Sequence, residues 1–278
     1  MSNGELLRLV KAVKRKHPHL SLRVIEGLIQ KGLVLVDGKA RKKSFKVSEQ
    51  AEIVIPPQLL KTDLQANPDL NCDILFEDKN FLFINKPGGL HSVALDFLET
   101  QSVANWLIAK DPELAKIDPL DCGLAHRLDK ETSGVLVAGK TFDAYAEIRN
   151  AFTLGSVAKI YQAITTEQAP LGVHQIYARN HPKKRGQIQI LEEAGDKTHA
   201  IATEVLACEP HALGFKTTIH LITGFRHQIR AHLAHLGAPL LGDTVYGGQE
   251  AKRLHLHAER LHFKAFGKTY DVTAVCPF

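Results

Sequence analysis

The feature that most constrains the fold of this chain is a polar stretch that leads directly into an apolar run. Residues 126–134 read H-R-L-D-K-E-T-S-G, and residues 135–138 read V-L-V-A. The run is short, rich in Val and Leu, and bounded by glycine on both sides, a pattern that predicts a strand. We expect the Thr-Ser-Gly sequence to form the turn through which the chain enters a sheet. A loop at the mouth of a rigid strand keeps its side chains accessible to a ligand.

Asp129 is the short carboxylate of this stretch, and it lies between the cations Arg127 and Lys130. These neighbours would keep it ionised near neutral pH and could also meet a phosphate group. On these residues alone, an ion-paired surface turn is the simpler interpretation. A functional carboxylate is the alternative, and other motifs must decide between the two.

The charge of the chain is unevenly distributed. Residues 1–61 contain 13 Lys and Arg against 5 Asp and Glu, a balance of +8, whereas the remaining residues contain 22 and 25, a balance of −3. A small basic segment on a nearly neutral body indicates an arm that binds a polyanion, although simple solubilising charge gives the same balance.

The overall composition is typical of a soluble cytoplasmic protein. Of the 278 residues, 44% are hydrophobic and 23% are charged. No apolar run approaches the ~20 residues of a membrane span, so no membrane association is expected. The N-terminus has no signal-peptide pattern. The four cysteines are scattered and the histidines fit no zinc spacing, so we expect reduced thiols and no metal.

The basic segment has the pattern of a small folded unit. Apolar residues at helical spacing predict helices over residues 5–16 and 22–31, the second ended by Gly32. The Asp37-Gly38 pair that follows is a hairpin signal, and a basic run comes directly after it.

Residues 32–39, G-L-V-L-V-D-G-K, resemble the G-L-V-x-V-N-G-K segment of the RNA-binding module first described in small-subunit ribosomal protein four. The likeness covers about residues 5–57 and implies a basic cradle for structured RNA. A solvated basic hairpin remains the alternative on the residues alone. The cations of the implied cradle are Arg23, Lys31, Lys39, Arg41, Lys42 and Lys43.

Between this unit and the body, residues 58–72 are predicted to be a linker. A hairpin at residues 74–84 then leads into Lys86, which precedes a Pro-Gly turn. Lys86 could contact a backbone phosphate or simply be a charged turn residue. A second basic loop at residues 181–186 is a further candidate contact for RNA.

Two later stretches bring functional residue types together. The strand predicted at residues 159–164 places Lys159 and Tyr161 on one face, where they line a pocket or pack on a half-buried sheet. Arg226 and Arg230 are four residues apart near the start of a predicted helix, so they would share a face and converge on one anion.

Several separated motifs together resemble the RluA-type pseudouridine synthases, over about residues 74–263. An N-terminal module of the ribosomal-protein type is a frequent arrangement in that family. The motifs are H-R-L-D-x-x-T-S-G at 126–134, K-x-Y at 159–161, H-Q-I-R at 227–230, G-D-x-x-Y-G at 242–247, and E-D with N-K-P-x-G at 77–78 and 85–89.

The resemblance implies an isomerase that breaks the glycosidic bond of a uridine, turns the uracil and rejoins it through ring carbon five. This reaction needs no cofactor, because it involves no net redox change. Asp129 would be the catalytic carboxylate, either attacking the anomeric carbon or removing a sugar proton. Arg230 would pair with Asp129, and Tyr161 would stack on the uracil and assist the final proton removal. The implied substrate- and RNA-binding residues of the body are His126, Arg127, Lys86, Lys159, Arg226, His227 and Gln228.

The sequence departs from the family beside the H-Q-I-R motif. The family has T-G-R-T-H-Q-I-R, whereas residues 223–230 read T-G-F-R-H-Q-I-R. Phe225 therefore replaces the first arginine, and the arginine moves one place to position 226. This difference indicates a changed contact with the substrate.

Together these observations predict an α+β protein with a mixed, largely antiparallel central sheet and flanking helices, preceded by a small α/β RNA-binding domain. The predicted division is a basic RNA-binding domain at 1–57, a linker at 58–72 and a catalytic domain at 73–278. We expect a cytoplasmic monomer that isomerises uridines in structured RNA, ribosomal RNA first and transfer RNA second. A non-catalytic RNA-binding protein on the same fold and an RNA or nucleoside hydrolase remain alternatives.

Overall fold

The computed structural model describes residues 6–18, 20, 22–48, 50–57, 64–95, 98–184 and 186–278. The chain divides into two compact units, residues 1–70 with 93–122 and residues 71–92 with 123–278. The domain boundaries at residues 57 and 73 stay a prediction. Within the described ranges, no helix combines the length and the apolar character needed to cross a membrane.

The first unit consists of short helices and very short strands. In chain order its elements are β1 (Leu7–Arg8), α1 (Leu9–Lys16), α2 (Leu22–Gln30), β2 (Leu35–Val36), β3 (Lys39–Ala40), β4 (Lys46–Val47), β5 (Ile53–Val54), α3 (Val103–Lys110) and α4 (Leu114–Ile117).

The two predicted helices and the predicted hairpin are present in this unit. Helix α1 begins later than predicted, because Leu7 and Arg8 pair with β4 as a strand. Helix α2 ends just before Gly32, whose φ of +71° suits a glycine. Asp37 and Gly38 both have positive φ, as a two-residue turn between paired strands requires, and β2 pairs with β3 across them.

The second unit is built on a ten-stranded sheet. Its elements are β6 (Asp73–Glu77), β7 (Phe81–Lys86), β8 (Ser133–Gly139), α5 (Phe142–Thr153), β9 (Ala158–Thr165), β10 (Gly172–Asn180), β11 (Ile188–Leu191), β12 (His199–His211), β13 (Gly214–Leu221), α6 (Gln228–His235), β14 (Leu256–Ala265) and β15 (Lys268–Thr273).

The strand order is β11-β10-β12-β13-β9-β14-β8-β7-β6, with β15 paired to β14. Only the pairing of β8 with β14 is parallel among the pairs of this sheet in the described chain. The predicted fold class, α+β with a mixed and largely antiparallel sheet, is therefore confirmed. The central strands β8 and β9 carry the two stretches that the sequence singled out.

The Thr-Ser-Gly sequence does not form the expected turn. Ser133 and Gly134 are already part of β8, and the whole strand is buried. A Cβ atom on Gly134 would lie 2.1 Å from the carbonyl oxygen of Ala258 in β14. Glycine is required here because the two parallel strands approach each other too closely for any side chain.

An aromatic core supports this part of the sheet. Phe81 and Phe83 of β7 contact Phe263 of β14 and Tyr270 of β15, with ring centroids between 4.9 and 6.0 Å apart. Helix α5 adds Ile148 to the same core. The loop before β8 thus enters a rigid, fully packed layer.

Candidate active site

The loop that carries Asp129 is fixed on both sides of this residue. Ser92 exchanges two hydrogen bonds with the backbone of Leu128, at 2.8 and 3.0 Å. On the other side, the carbonyl of Lys130 accepts from the Lys86 ammonium and from the Gly89 amide, both at 2.9 Å. These contacts hold the backbone at Asp129 firmly, as a positioned carboxylate requires.

Arg230, at the first turn of α6, is a charged neighbour of the Asp129 carboxylate. Its guanidinium binds Asp243 through two hydrogen bonds of 2.6 and 2.8 Å, and both side chains are buried. Burial opposes the charge of Arg230, but the Asp243 contacts outweigh it and raise the pKa of the guanidinium. The guanidinium of Arg230 thus keeps its charge and is held in place by a buried bidentate contact.

Asp129 lies at the edge of this Arg230–Asp243 unit without being hydrogen-bonded to it. Its Oδ2 atom is 3.7 Å from Nη1 of Arg230 and 3.8 Å from Nε2 of His227. The predicted pairing of Arg230 with Asp129 is therefore an ion-pair contact, whereas the hydrogen bonds of the guanidinium go to Asp243.

A cavity of about 810 Å³ opens in front of Asp129. Lys159 and Tyr161 line it from β9, on the shared strand face that the sequence predicted. Burial and the charge of Asp129 raise the pKa of Tyr161, so it is a neutral phenol. The ammonium of Lys159 donates to the Thr223 carbonyl at 3.1 Å, and burial lowers its pKa to about 8. This volume is in the range of ligand sites.

His126 and Arg127 line the same cavity but differ in environment. The imidazole of His126 lies 4.6 Å from the Phe152 ring, and burial with the nearby charge of Lys159 lowers its pKa to about 3. Its Nε2 atom is buried and has no hydrogen-bond partner among the residues that the structure describes. Arg127 is exposed at the opening. A neutral histidine and a solvated arginine therefore face the cavity.

Two predicted RNA-binding residues of the body are not available to a ligand. Lys86 is 0% exposed and donates to the carbonyls of Pro87, Leu90 and Lys130, so the predicted phosphate contact is wrong. Gln228 is 2% exposed, and its amide is occupied by Thr223, Phe225, Ala202 and Thr203. Both side chains organise loops instead.

The expected shared helix face of Arg226 and Arg230 is wrong, whereas both residues line the cavity and their convergence on one anion stays a prediction. Helix α6 begins at Gln228, so Arg226 precedes the helix and does not share its face. Arg226 donates to the Asn180 side chain at 3.4 Å and to the Gln187 carbonyl at 3.2 Å, in the β10–β11 hairpin. Phe225 packs against the small core under the same hairpin, with its ring 4.9 Å from that of His199.

The cations of the first unit lie at or near its surface. Lys31, Lys39, Lys42 and Lys43 are exposed, and Lys43 is 3.4 Å from Glu26. Arg41 is half-buried with its guanidinium 4.7 Å from the centre of the Phe45 ring. The side chain of Arg23 lies outside the described residues. Most of the predicted cradle is thus accessible to solvent.

Sequence reasoning did not assign a role to Asp243 or Tyr246. Asp243 is 1% exposed and holds Arg230, while the Tyr246 ring lies 5.3 Å from that guanidinium. The Tyr246 hydroxyl is 3.0 Å from Nδ1 of His227. The G-D-x-x-Y-G motif contains both residues and was a sequence signal for them. The motif does not show that Asp243 pairs with Arg230, because these two residues are 13 positions apart and meet only in the folded structure.

The described residues contain no group of three or more His, Cys, Asp or Glu side chains arranged to hold a metal ion. The chemistry on offer is that of one accessible carboxylate beside a fixed positive charge, facing an aromatic side chain in an open cavity. Such a site can stabilise positive character at a sugar and hold a planar base. Fold and site together define a protein of the pseudouridine synthase class.

Comparison with known proteins identifies the family. The model of the RNA pseudouridylate synthase family matches residues 80–235, and that of the S4 domain matches residues 7–53. The chain belongs to the RNA pseudouridylate synthase family, which confirms the predicted family, enzyme class and N-terminal module.

Individual relatives are similar over most of the chain. Ribosomal large subunit pseudouridine synthase D of Pseudomonas aeruginosa is 30% identical and covers 87% of this chain and 74% of the relative. Ribosomal large subunit pseudouridine synthase C of Rickettsia bellii is 31% identical. The similarity covers 97% of this chain and 94% of the relative. The solved structure of human RNA pseudouridylate synthase domain containing 4 has a TM-score of 0.59 at 26% identity, covering 73% of this chain and 88% of that one.

Proposed function

We propose that this enzyme isomerises specific uridines of ribosomal RNA, with Asp129 as the catalytic carboxylate. The observation that carries the proposal is the placement of Asp129 at an 810 Å³ cavity, with its backbone fixed on both sides and Arg230 at 3.7 Å. The choice of ribosomal RNA rests on the names of the similar bacterial proteins, which are ribosomal large subunit pseudouridine synthases. Transfer RNA is the second candidate.

The Arg230–Asp243 unit places a guanidinium beside Asp129 without blocking the carboxylate. Because Asp243 occupies two hydrogen-bond donors of the guanidinium, Arg230 supplies positive charge to Asp129 without closing on the carboxylate. The carboxylate oxygens stay free to attack the anomeric carbon or to accept a sugar proton. Arg230 in this way serves as the charge partner of the catalytic group.

Tyr161 is proposed as the stacking partner of the detached uracil. Its ring lines the cavity from a central strand, so the base would rest on a rigid surface. The raised pKa keeps its proton on the oxygen at neutral pH. Tyr161 can therefore assist removal of the proton from ring carbon five only if its own proton leaves in the same step.

The target nucleotide must leave its RNA stack to reach Asp129, at a cost of a few kcal/mol. We propose that exposed cations supply the compensating binding energy. Arg127 and Arg226 lie at the cavity of the catalytic unit, together with Lys159, His126 and His227 on its wall. In the first unit the docking residues are Arg23, Lys39, Arg41, Lys42 and Lys43. The partner of the protein is therefore RNA, and we propose that it acts as a cytoplasmic monomer.

The test is release of tritium from RNA labelled at uridine carbon five. Wild-type protein should release tritium, because forming the new bond at this carbon displaces its hydrogen. Asp129→Asn should release none, while its RNA affinity stays within a few-fold of wild type. The matched control is Glu131→Gln, which removes a negative charge from an exposed position of the same loop and should stay active. Retained activity of Asp129→Asn would refute the assignment of this carboxylate.

Labelled ribosomal RNA and transfer RNA, tested side by side, separate the two substrate classes. Release from ribosomal RNA alone supports the proposal. Release from transfer RNA alone would replace the proposed substrate and leave the chemistry of Asp129 intact. Free uracil or cut RNA would instead indicate a hydrolase, and neither product is expected.

A further inference from the structure

A chain of polar contacts runs from the β10–β11 hairpin to the carboxylate of Asp129. The backbone amide of Ile188, the first residue of β11, donates to the Tyr246 hydroxyl oxygen at 3.0 Å. The same oxygen lies 3.0 Å from Nδ1 of His227. The opposite ring nitrogen, Nε2, points at Oδ2 of Asp129 from 3.8 Å. His227 thus stands between a tyrosine hydroxyl and the catalytic carboxylate.

The hydrogen-bond partners decide which nitrogen of His227 carries the proton. An amide can only donate, so the Tyr246 oxygen accepts from Ile188 and its one hydroxyl proton needs an acceptor of its own. Within the described chain, Nδ1 of His227 is the one acceptor bonded to that hydroxyl. With the phenol donating to Nδ1, the imidazole carries its proton on Nε2, and this is the arrangement that we propose below. The other tautomer would turn an Nε2 lone pair toward the negative charge of Asp129.

Burial is the main reason why the pKa of this histidine is lowered. The titratable groups that face it are Asp129 from the catalytic loop, Arg226 and Arg230 from the start of α6, and Asp243 and Tyr246 from the loop before β14. Burial, together with the two arginines, outweighs the two carboxylates and lowers the pKa of His227. Burial also raises the pKa of Tyr246, so its hydroxyl keeps its proton.

The backbone is arranged to place this side chain. His227 adopts a left-handed conformation with φ of +54°, immediately before α6. A residue with a Cβ atom adopts this conformation only at an energetic cost. The imidazole does not cap the helix, so helix capping does not account for the strain.

We propose that His227 is a positioning residue that presents its Nε2–H group to Asp129, and that Tyr246 fixes this tautomer. The inference rests on the proposed function of Asp129. His227 and Arg230 both make their shortest contact with the same oxygen, Oδ2. Together they orient the carboxylate through that oxygen and leave Oδ1 for the reaction. Tyr246 acts only through His227 and the neighbouring Arg230.

The first test reads the tautomer directly. Nitrogen-15 NMR of the histidine rings in the full-length protein should show His227 as the neutral Nε2–H form at pH 7. Tyr246→Phe keeps the ring beside Arg230 but removes the hydroxyl, so the Nδ1–H form should become populated. Tyr270→Phe, which removes a hydroxyl bonded to Asp78, is the matched control and should leave the His227 spectrum unchanged. An Nδ1–H tautomer in the wild type would overturn the proposal.

The second test separates positioning from binding. In single-turnover tritium release, Tyr246→Phe should lose about tenfold in rate, with its KM for RNA within about twofold of wild type. His227→Gln, whose amide N–H can replace the Nε2–H group, should retain more of the rate than His227→Ala. Equal rates for both His227 variants, or an unchanged rate and spectrum for Tyr246→Phe, would refute the positioning role. If wild-type protein releases no tritium, the proposed function fails, while the spectrum still decides the tautomer.

Discussion

The ammonium of Lys86 is a structural centre of the catalytic unit. Its three N–H groups are matched by three carbonyl oxygens, those of Pro87, Leu90 and Lys130, between 2.7 and 2.9 Å away. Because Lys130 follows Asp129, this one side chain ties the loop after β7 to the catalytic loop. Burial lowers the pKa of Lys86 to about 7, so the charge is held against a considerable desolvation cost.

Lys86→Met should destabilise the protein strongly. The substitution leaves buried carbonyls without donors, and losing one partner of a buried charged contact costs about 3–5 kcal/mol. Chemical denaturation monitored by circular dichroism measures the change. Lys79→Met, at an exposed position in the turn before β7, is the control and should change stability by less than about 0.5 kcal/mol. Similar losses for both variants would contradict the role of the three carbonyls.

We expect Lys159 to make RNA binding depend on pH in the mildly alkaline range. Burial lowers its pKa to about 8, so the free protein carries an ammonium there below pH 8 and a neutral amine above it. A phosphate binds the ammonium, and affinity for RNA should therefore fall as the pH rises from 7 to 9. Because binding stabilises the charged form, the midpoint in the complex should lie above 8.

Binding titrations at constant ionic strength test this dependence. Lys159→Met should bind RNA more weakly at pH 7 and lose the pH dependence between 7 and 9. Lys140→Met, a lysine of the same unit that pairs with Glu77, should keep the wild-type profile. A wild-type profile as flat as that of Lys159→Met would show that the ammonium does not contact RNA.

At the scale of elements, the parallel strands β8 and β14 approach each other closely at Gly134. Gly134→Ala should lower the free energy of unfolding by about 4 kcal/mol or more. The added Cβ would overlap backbone atoms of Ala258, and the φ of +119° at position 134 is unfavourable for alanine. Gly267→Ala is the matched control, since its φ is also positive, at +71°, but its Cβ would meet open space. This control should lower the free energy of unfolding by about 1–2 kcal/mol, because only the backbone conformation is unfavourable for alanine. Equal losses of stability for the two variants in thermal unfolding would mean that β8 and β14 can move apart to accommodate the added Cβ atom.

The sequence was informative wherever a short pattern determines a local structure. The Asp37-Gly38 turn, the apolar strand from Val135 and the shared face of Lys159 and Tyr161 all follow from local rules. The start of α1 was misplaced, since Leu7 pairs with a strand 40 residues later in the sequence.

The parts of the site that could not be predicted depend on distant partners. Lys86 is buried because its ammonium binds carbonyls as distant in sequence as that of Lys130. The side chain of Arg226 is directed by its hydrogen bonds to the β10–β11 hairpin. The Arg230–Asp243 pair joins a helix to a turn beyond it. Spacing along the chain does not specify such contacts, because they arise only when separate elements pack together.

For the whole molecule, the basic segment at residues 1–61 of the first unit should control the salt dependence of RNA binding. Lys39 and Lys42 are exposed beside the β2–β3 hairpin. A double variant, Lys39→Gln with Lys42→Gln, should reduce the slope of log affinity against log salt by about two, one for each lost phosphate contact. Lys264→Gln with Lys268→Gln removes the same charge from the β14–β15 hairpin and should leave the slope nearly unchanged. Equal slopes for the two double variants would contradict the docking role of the first unit.

The pairing of β8 with β14 also has a consequence for the order in which a growing chain matures. Ser133 meets its partner His257 across 124 residues of sequence, and Arg230 and Asp243 lie within that interval. The first unit, in contrast, is complete once residue 122 has been made. A chain emerging from the ribosome therefore carries its RNA-binding module long before Asp129 has its charge partner or β8 its second neighbour. Synthesis therefore completes the S4 segment first and the catalytic site last.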